Sequence, residues 1–222
     1  MKLTIFNGSP RGKESNSKVL SNKFSKGFLM SEDQKEEYFL IEYQGKYENL
    51  IETVENGELF YIIFPLYIDS MPGMVKEFID TLEPLRGKLK GKKFIYHIHC
   101  GFPEEIHLHG LKKYLMLLTE MLNGQLVGVI TSGGSEASRF LPDRYKFFLN
   151  LEELGKKYRE AGKLDEELME KVKNRKQFSG FSMIMLKLLN KTGILNVMWN
   201  KSLRKNGVFE KRFDKPYEEK NS

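Results

Sequence analysis

Apolar residues recur at two spacings along the first 135 positions, and the two alternate. Residues 2–6 are a short apolar run closed by the turn pair Asn7-Gly8. Residues 17–30 place apolar side chains at 19, 20, 24, 28 and 29, near helical spacing. Residues 37–43 are rich in Tyr, Phe and Ile, and residues 58–64 (ELFYIIF) are almost continuously apolar, as a strand covered on both faces requires. Residues 71–82 return to helical spacing, 93–99 alternate as a strand, 107–122 read as a long helix and 125–131 (QLVGVIT) as another buried strand. Strand and helix thus alternate through five strands. Links this short admit only right-handed crossovers, so the pattern predicts an α/β protein with a parallel sheet between two helical layers. Beyond residue 140 the pattern turns helical: 139–163, a charged stretch at 164–176, then the apolar stretch 178–199 and a polar, basic tail. The expected division is a domain over 1–150 and a helical, basic C-terminal extension over 151–222.

Ligands of open parallel sheets bind at the carboxyl ends of the strands, so the loops after the strands carry the functional signal. The first loop runs Asn7, Gly8, Ser9, Pro10, Arg11, Gly12, Lys13, Glu14, Ser15, Asn16, Ser17 and leads into a helix. Hydroxyls, an arginine and a helix N-terminus together make a phosphate site. It is not a Walker A loop: three residues, not four, separate Gly8 from Gly12-Lys13, and Glu14 stands where a Mg²⁺-binding hydroxyl is needed. A G-x-G-x-x-G dinucleotide loop is absent as well. The third loop, Pro65, Leu66, Tyr67, Ile68, Asp69, Ser70, Met71, Pro72, is stiffened by two prolines and offers apolar side chains, one aromatic and backbone amides. It suits a flat, partly apolar, hydrogen-bonding ring better than a sugar or a metal. Cys100, Gly101, Phe102, Pro103 follow the fourth strand, and Ser132, Gly133, Gly134 follow the fifth; glycine there allows close backbone approach.

These motifs resemble those of the flavodoxin-like NAD(P)H-dependent FMN reductases and NAD(P)H quinone reductases. The resemblance covers roughly residues 1–150 and rests on 8–17, 65–72, 101–104 and 132–134. It implies a doubly wound five-stranded sheet of order 2-1-3-4-5. It further implies an FMN whose phosphate lies against Ser9, Arg11, Ser15, Asn16 and Ser17. The ring would rest on Pro65, Leu66, Tyr67, Ile68 and Asp69, with Gly101, Phe102 and Pro103 on its other edge and Ser132, Gly133 and Gly134 nearby. The implied activity is hydride transfer from NAD(P)H through flavin N5 to a quinone, a nitro or azo compound, or free flavin. The cofactor does the chemistry, so no protein group is assigned a catalytic role. The absence of an evident adenine site favours FMN over FAD, and the resemblance also suggests a homodimer.

Composition narrows the alternatives. Hydrophobic residues are 40% and charged residues 30%, which excludes wholesale disorder. No run approaches the roughly 20 apolar residues that span a bilayer, and the first residues turn polar too early for a signal peptide, so a cytoplasmic protein is expected. The single cysteine, Cys100, excludes an internal disulfide and a cysteine-held iron–sulfur cluster. Residues 1–150 are neutral, with 19 basic and 19 acidic side chains, so the net charge of +6 lies wholly in the C-terminal part. That placement argues against a nucleic-acid partner. A neutral core also argues against a carrier of single electrons or a scaffold, since flavodoxin carriers tend to be strongly acidic. His97, His99, Cys100, His107 and His109 lie within thirteen residues and could suggest Zn²⁺. However, His107 and His109 point to different sides of a helix. No metal is expected; one or two strand-end histidines should lie near the ligand. The 178–199 segment with its basic flanks could lie on a membrane surface, but its apolar residues are expected to pack on the domain or in a subunit interface.

Overall fold

The computed structural model describes residues 1–101, 109–135, 138, 145–173, 192 and 196–215. Five strands, β1 (Lys2–Asn7), β2 (Gln34–Phe39), β3 (Leu59–Pro65), β4 (Lys93–His99) and β5 (Gln125–Ser132), form one parallel sheet of order β2-β1-β3-β4-β5. Helices α1 (Asn16–Phe28), α2 (Ile51–Asn56), α3 (Gly73–Asp80), α4 (His109–Met121), α5 (Lys146–Ala161) and α6 (Glu166–Val172) cover it. The order expected from the resemblance is the order found.

The two faces of the sheet follow from the two-residue period of its strands. Leu3, Ile5, Tyr61, Ile63 and Ile95 point to one side and pack with Leu20, Phe24 and Phe28 of α1, Leu151 and Leu154 of α5, and Leu168 of α6. Phe6, Phe60, Ile62, Phe64, Phe94 and Tyr96 point to the other and meet Val54 of α2, Phe78 of α3 and Leu115 of α4. Every residue of β3 is buried, as its unbroken apolar run requires.

Two expectations shift. The second strand is Gln34–Phe39, and most of the apolar stretch assigned to it, Leu40–Tyr43, forms a 3-10 turn. β2 is an edge strand carrying Lys35, Glu36 and Glu37, so polar residues hide it from a search for apolar runs. The second shift is the helix expected over residues 71–82, which is the shorter α3. The chain divides into two compact units. The first compact unit runs Met1–Lys176, and the second is Gln177–Ser222. Within the first, α5 packs backbone to backbone on α1. A Cβ on Gly27 would lie 1.7 Å from the Glu152 carbonyl oxygen, and one on Gly155 would lie 2.1 Å from that of Phe24. Arg159 of α5 adds a two-pronged ion pair to Asp33, at 2.8 and 3.1 Å, and this pairing holds the Asp33 carboxyl well below the usual carboxylate range.

The second unit contains α7 (Asn196–Lys205; the last helix in the described residues), followed by a 3-10 turn, Phe209–Lys211, where the Arg204 and Arg212 guanidiniums stack on Phe209. Most of the 178–199 segment lies outside the described residues. Among those residues no helix is long and apolar enough to cross a membrane.

The α1–α5 contact has a direct test. Gly155→Ala forces a methyl into a backbone carbonyl and is expected to lower the urea-unfolding free energy by about 1–3 kcal/mol. Gly110→Ala, in α4 with open space around it, should be neutral or stabilising by up to about 1 kcal/mol. Equal stability of the two variants would contradict the contact.

Candidate active site

The turn after β1 is shaped by close approach. The Gly8 amide donates to the Ile63 carbonyl at 2.8 Å, and a Cβ on Gly8 would lie 2.2 Å from Val75 Cγ2, so only glycine fits between the sheet and α3. Ser9 is buried, and its hydroxyl oxygen accepts from the Arg11 amide at 3.3 Å. Ser15 caps α1: its oxygen accepts from the Lys18 amide at 3.1 Å while its proton goes to the Gly12 carbonyl at 2.6 Å.

The loop after β3 holds a strained turn. Tyr67 and Ser70 exchange two backbone hydrogen bonds, at 2.9 and 3.0 Å, and between them Ile68 and Asp69 have φ of 45° and 61°. Two positive φ angles in succession make a type I′ turn, which normally takes Asn or Gly. A β-branched residue there costs about 1–2 kcal/mol. Ile68 is also 99% exposed, so packing among the described residues does not offset the strain. Strain of this kind concentrates where a ligand is held.

Between these loops the end of β4 carries two buried histidines. His97 bonds Tyr61 Oη through Nδ1 and Ser132 Oγ through Nε2, the latter at 2.7 Å. His99 Nε2 lies 2.7 Å from Ser17 Oγ and its Nδ1 lies 2.9 Å from Ser135 Oγ. Burial pushes the His97 imidazole well below its ordinary pKa, and pushes His99 down to about 3, so both are neutral at physiological pH. Among the described residues no three His, Cys, Asp or Glu side chains gather to hold a metal. His107 lies outside the described residues, as does the side chain of His109.

A cleft of about 90 Å³ opens at this edge of the sheet. Ser9, Arg11 and Asn16 form one wall; Pro65, Leu66 and Tyr67 form the other, and Gly101 lies at the end of β4. Those seven expected residues come together. Ser15 and Ser17 do not line the cleft, because the hydroxyl of one caps α1 and that of the other meets His99. Ile68 and Asp69 form the tip of the neighbouring turn. Ser132 is committed to His97, the Gly133 amide donates to the Lys173 carbonyl after α6 at 3.0 Å, and Gly134 takes a positive φ that turns the chain onward. Phe102 and Pro103 lie outside the described residues. Sequence reasoning did not single out Cys100 and Ser135 as lining groups; His99, which also lines the cleft, is one of the strand-end histidines expected near the ligand. The alternation that places His97 and His99 on one strand face was the available signal. A larger hollow of about 310 Å³ lies away from these strand ends, lined by Ile79, three leucines of α4 and the turn after it, and Met121, with Asp80, Glu83, Arg86 and Tyr114 among its other lining residues.

The sheet order, the crossovers and a cleft at the strand ends define a flavodoxin-like α/β protein. No family model and no curated protein matches the chain. Solved structures do. An FMN-dependent NADH-azoreductase from Bacillus anthracis str. Ames Ancestor, in complex with FMN, is 14% identical with a TM-score of 0.55, over 72% of this chain and 100% of that one. An NADH:FMN oxidoreductase in its apo form is 16% identical with a TM-score of 0.56, over 74% and 90%. An NADPH-quinone reductase from P. pentosaceus is 16% identical with a TM-score of 0.54, over 71% and 97%. At these identities the likeness establishes the fold.

The buried histidines make stability depend on pH with a definite sign. Their folded pKa values lie below the unfolded value of about 6.5, so only the unfolded chain takes up protons as pH falls from about 6.5 toward 3. The stabilisation is complete above that window and is lost going down through it, by about 2 kcal/mol per histidine at about pH 5. Urea unfolding between about pH 8 and 5 should therefore show a steep loss that His97→Gln or His99→Gln makes shallower. Parallel profiles for wild type and both variants would refute neutral burial.

Proposed function

We propose that this protein is an FMN-dependent NAD(P)H oxidoreductase acting on a small-molecule electron acceptor such as a quinone, an azo or nitro compound, or free flavin. One observation carries the reading: the arginine-bearing loop that leads into α1 and the partly apolar 65–67 segment, which runs on into the strained turn at Ile68 and Asp69, line one cleft. The three solved structures described above, an FMN-dependent NADH-azoreductase, an NADH:FMN oxidoreductase and an NADPH-quinone reductase, point the same way.

The residues suit an FMN. The cleft's 90 Å³ takes a group of phosphate size, not a tricyclic ring, so the nucleotide would enter by its phosphate end and leave the ring across the mouth. Arg11, Ser9, Asn16 and the first amides of α1 would hold the phosphate, where positive charge and the helix dipole both favour an anion. Leu66, Tyr67 and Ile68 would hold the ring. Bound FMN supplies acceptance and donation of a hydride.

The chain's own work is positioning. In the 65–70 loop the Leu66 amide donates to the His99 carbonyl, and the Tyr67 and Ser70 amides are spent on each other's carbonyls. The Ile68 amide has no backbone acceptor among the described residues and would be available to a ligand, and the turn's positive φ fixes its direction. A fixed N–H beside a ring that gains negative charge on reduction stabilises the reduced form without reorganisation. The neutral histidines behind the cleft add no charge to the site.

The test begins with the visible spectrum of protein produced with ample riboflavin, followed by mass identification of any pigment that heat releases. Bound FMN and steady oxidation of NADH or NADPH by a quinone are expected. A colourless chain indifferent to added FMN would reject the reading; a coloured chain without turnover would make it a carrier instead. Arg11→Ala should weaken FMN binding by about tenfold to a hundredfold, the range of charge-assisted bonds worth about 1.5–3 kcal/mol. Flavin fluorescence titration measures it, and unchanged affinity would show that the phosphate lies elsewhere.

A further inference from the structure

We infer that His99 is a positioning residue for the phosphate-binding turn: a neutral imidazole protonated at Nδ1, which draws the Ser17 hydroxyl proton inward and fixes the first turn of α1 to the ends of β4 and β5. The inference rests on the flavin-nucleotide reading of the cleft and gives one of its expected phosphate contacts a different role.

The argument runs through a chain of hydrogen bonds with one direction. The Cys100 carbonyl can only accept, and the Ser135 hydroxyl lies 2.9 Å from it. The Ser135 proton is therefore spent on that carbonyl. Its oxygen must then accept from His99 Nδ1–H, 2.9 Å away. A neutral imidazole carries one N–H, so Nε2 bears a lone pair, and the Ser17 hydroxyl, 2.7 Å away, donates to it. All three side chains are buried, so water does not compete for these protons. Charged and titratable groups around the ring are Arg11 in the loop after β1, Tyr67 after β3, Tyr61 on β3, His97 on β4 and Cys100 directly after it. The loop after β5 contributes only Ser135 among the described residues. None is a carboxylate that would favour an imidazolium, and burial keeps the ring neutral.

Ser17 then has no hydroxyl proton to give a phosphate. It offers its backbone amide in the first turn of α1, and the direction of that amide depends on the side chain's bond to His99. Three segments from different parts of the chain, the first turn of α1, the end of β4 and the turn after β5, meet on this one ring. His99 thus acts on the ligand through Ser17, whose hydroxyl is turned away from the phosphate.

A double-mutant cycle separates the two possibilities, with FMN affinity read by fluorescence titration. Ser17→Ala and His99→Leu should each weaken FMN binding by about tenfold, and the double variant should be no weaker than the worse single one. His99→Gln, whose Oε1 offers an acceptor near the position of Nε2, should recover affinity to within about threefold of wild type. Additive losses, near a hundredfold in the double variant, would mean that the Ser17 hydroxyl touches the phosphate directly and would overturn the inference, as would a harmless Ser17→Ala. Nitrogen NMR of the imidazole provides a readout that needs no ligand. His99 should show the Nδ1–H tautomer and no titration between about pH 5 and 9. An Nε2–H tautomer or an imidazolium in that range would overturn the assignment even if His99→Leu fails to fold. Were the wild type to bind no FMN, the functional reading would fall, while the NMR result would still decide the tautomer.

Discussion

Helix α1 is held at both ends, and the candidate site depends on that. At its C-terminal end the backbones of α1 and α5 meet through Gly27 and Gly155, closer than any side chain allows. At its N-terminal end Ser17 reaches the ring of His99. A helix terminus binds an anion well only if its amides already point at the ligand. The packing supplies the axis of α1, and the imidazole supplies the direction of its first turn.

The buried polar groups behind the cleft carry an energetic cost that their hydrogen bonds must offset. Tyr61, His97 and Ser132 satisfy one another, as do Ser17, His99, Ser135 and the Cys100 carbonyl. A network whose members are all paired can specify a single arrangement, whereas one missing partner leaves a buried group costing about 1–3 kcal/mol. Neutral rings also keep this wall from competing with Arg11 for an anion.

Much of the fold was legible in the sequence because strands buried on both faces leave an unmistakable apolar run, as residues 59–64 do. β2 was harder, because an edge strand with a charged face has no such run. The packing of α5 on α1 was not legible for a different reason: the close contact is made by two glycines, which carry no hydrophobic signal. In the site, Ser9, Arg11, Asn16 and the 65–67 segment were readable from loop chemistry after each strand. Whether a loop serine faces the cleft or the interior was not readable. Ser15 is taken up by a local cap, its oxygen accepting from the Lys18 amide three residues on, whereas Ser17 is taken up by a strand-end histidine that long-range folding places beside it. His99 looked like a possible metal ligand because spacing along one strand cannot show that serines from two other segments will take both its nitrogens.

The corner at Ile68 and Asp69 has a consequence for how such a chain changes over time. Glycine or asparagine would relax the backbone there and make the unliganded molecule more durable. Selection for durability alone would therefore remove the isoleucine. If the proposed reading holds, the isoleucine beside the cleft is kept for what the molecule grips instead of for how firmly it folds, and a glycine there would trade grip for durability.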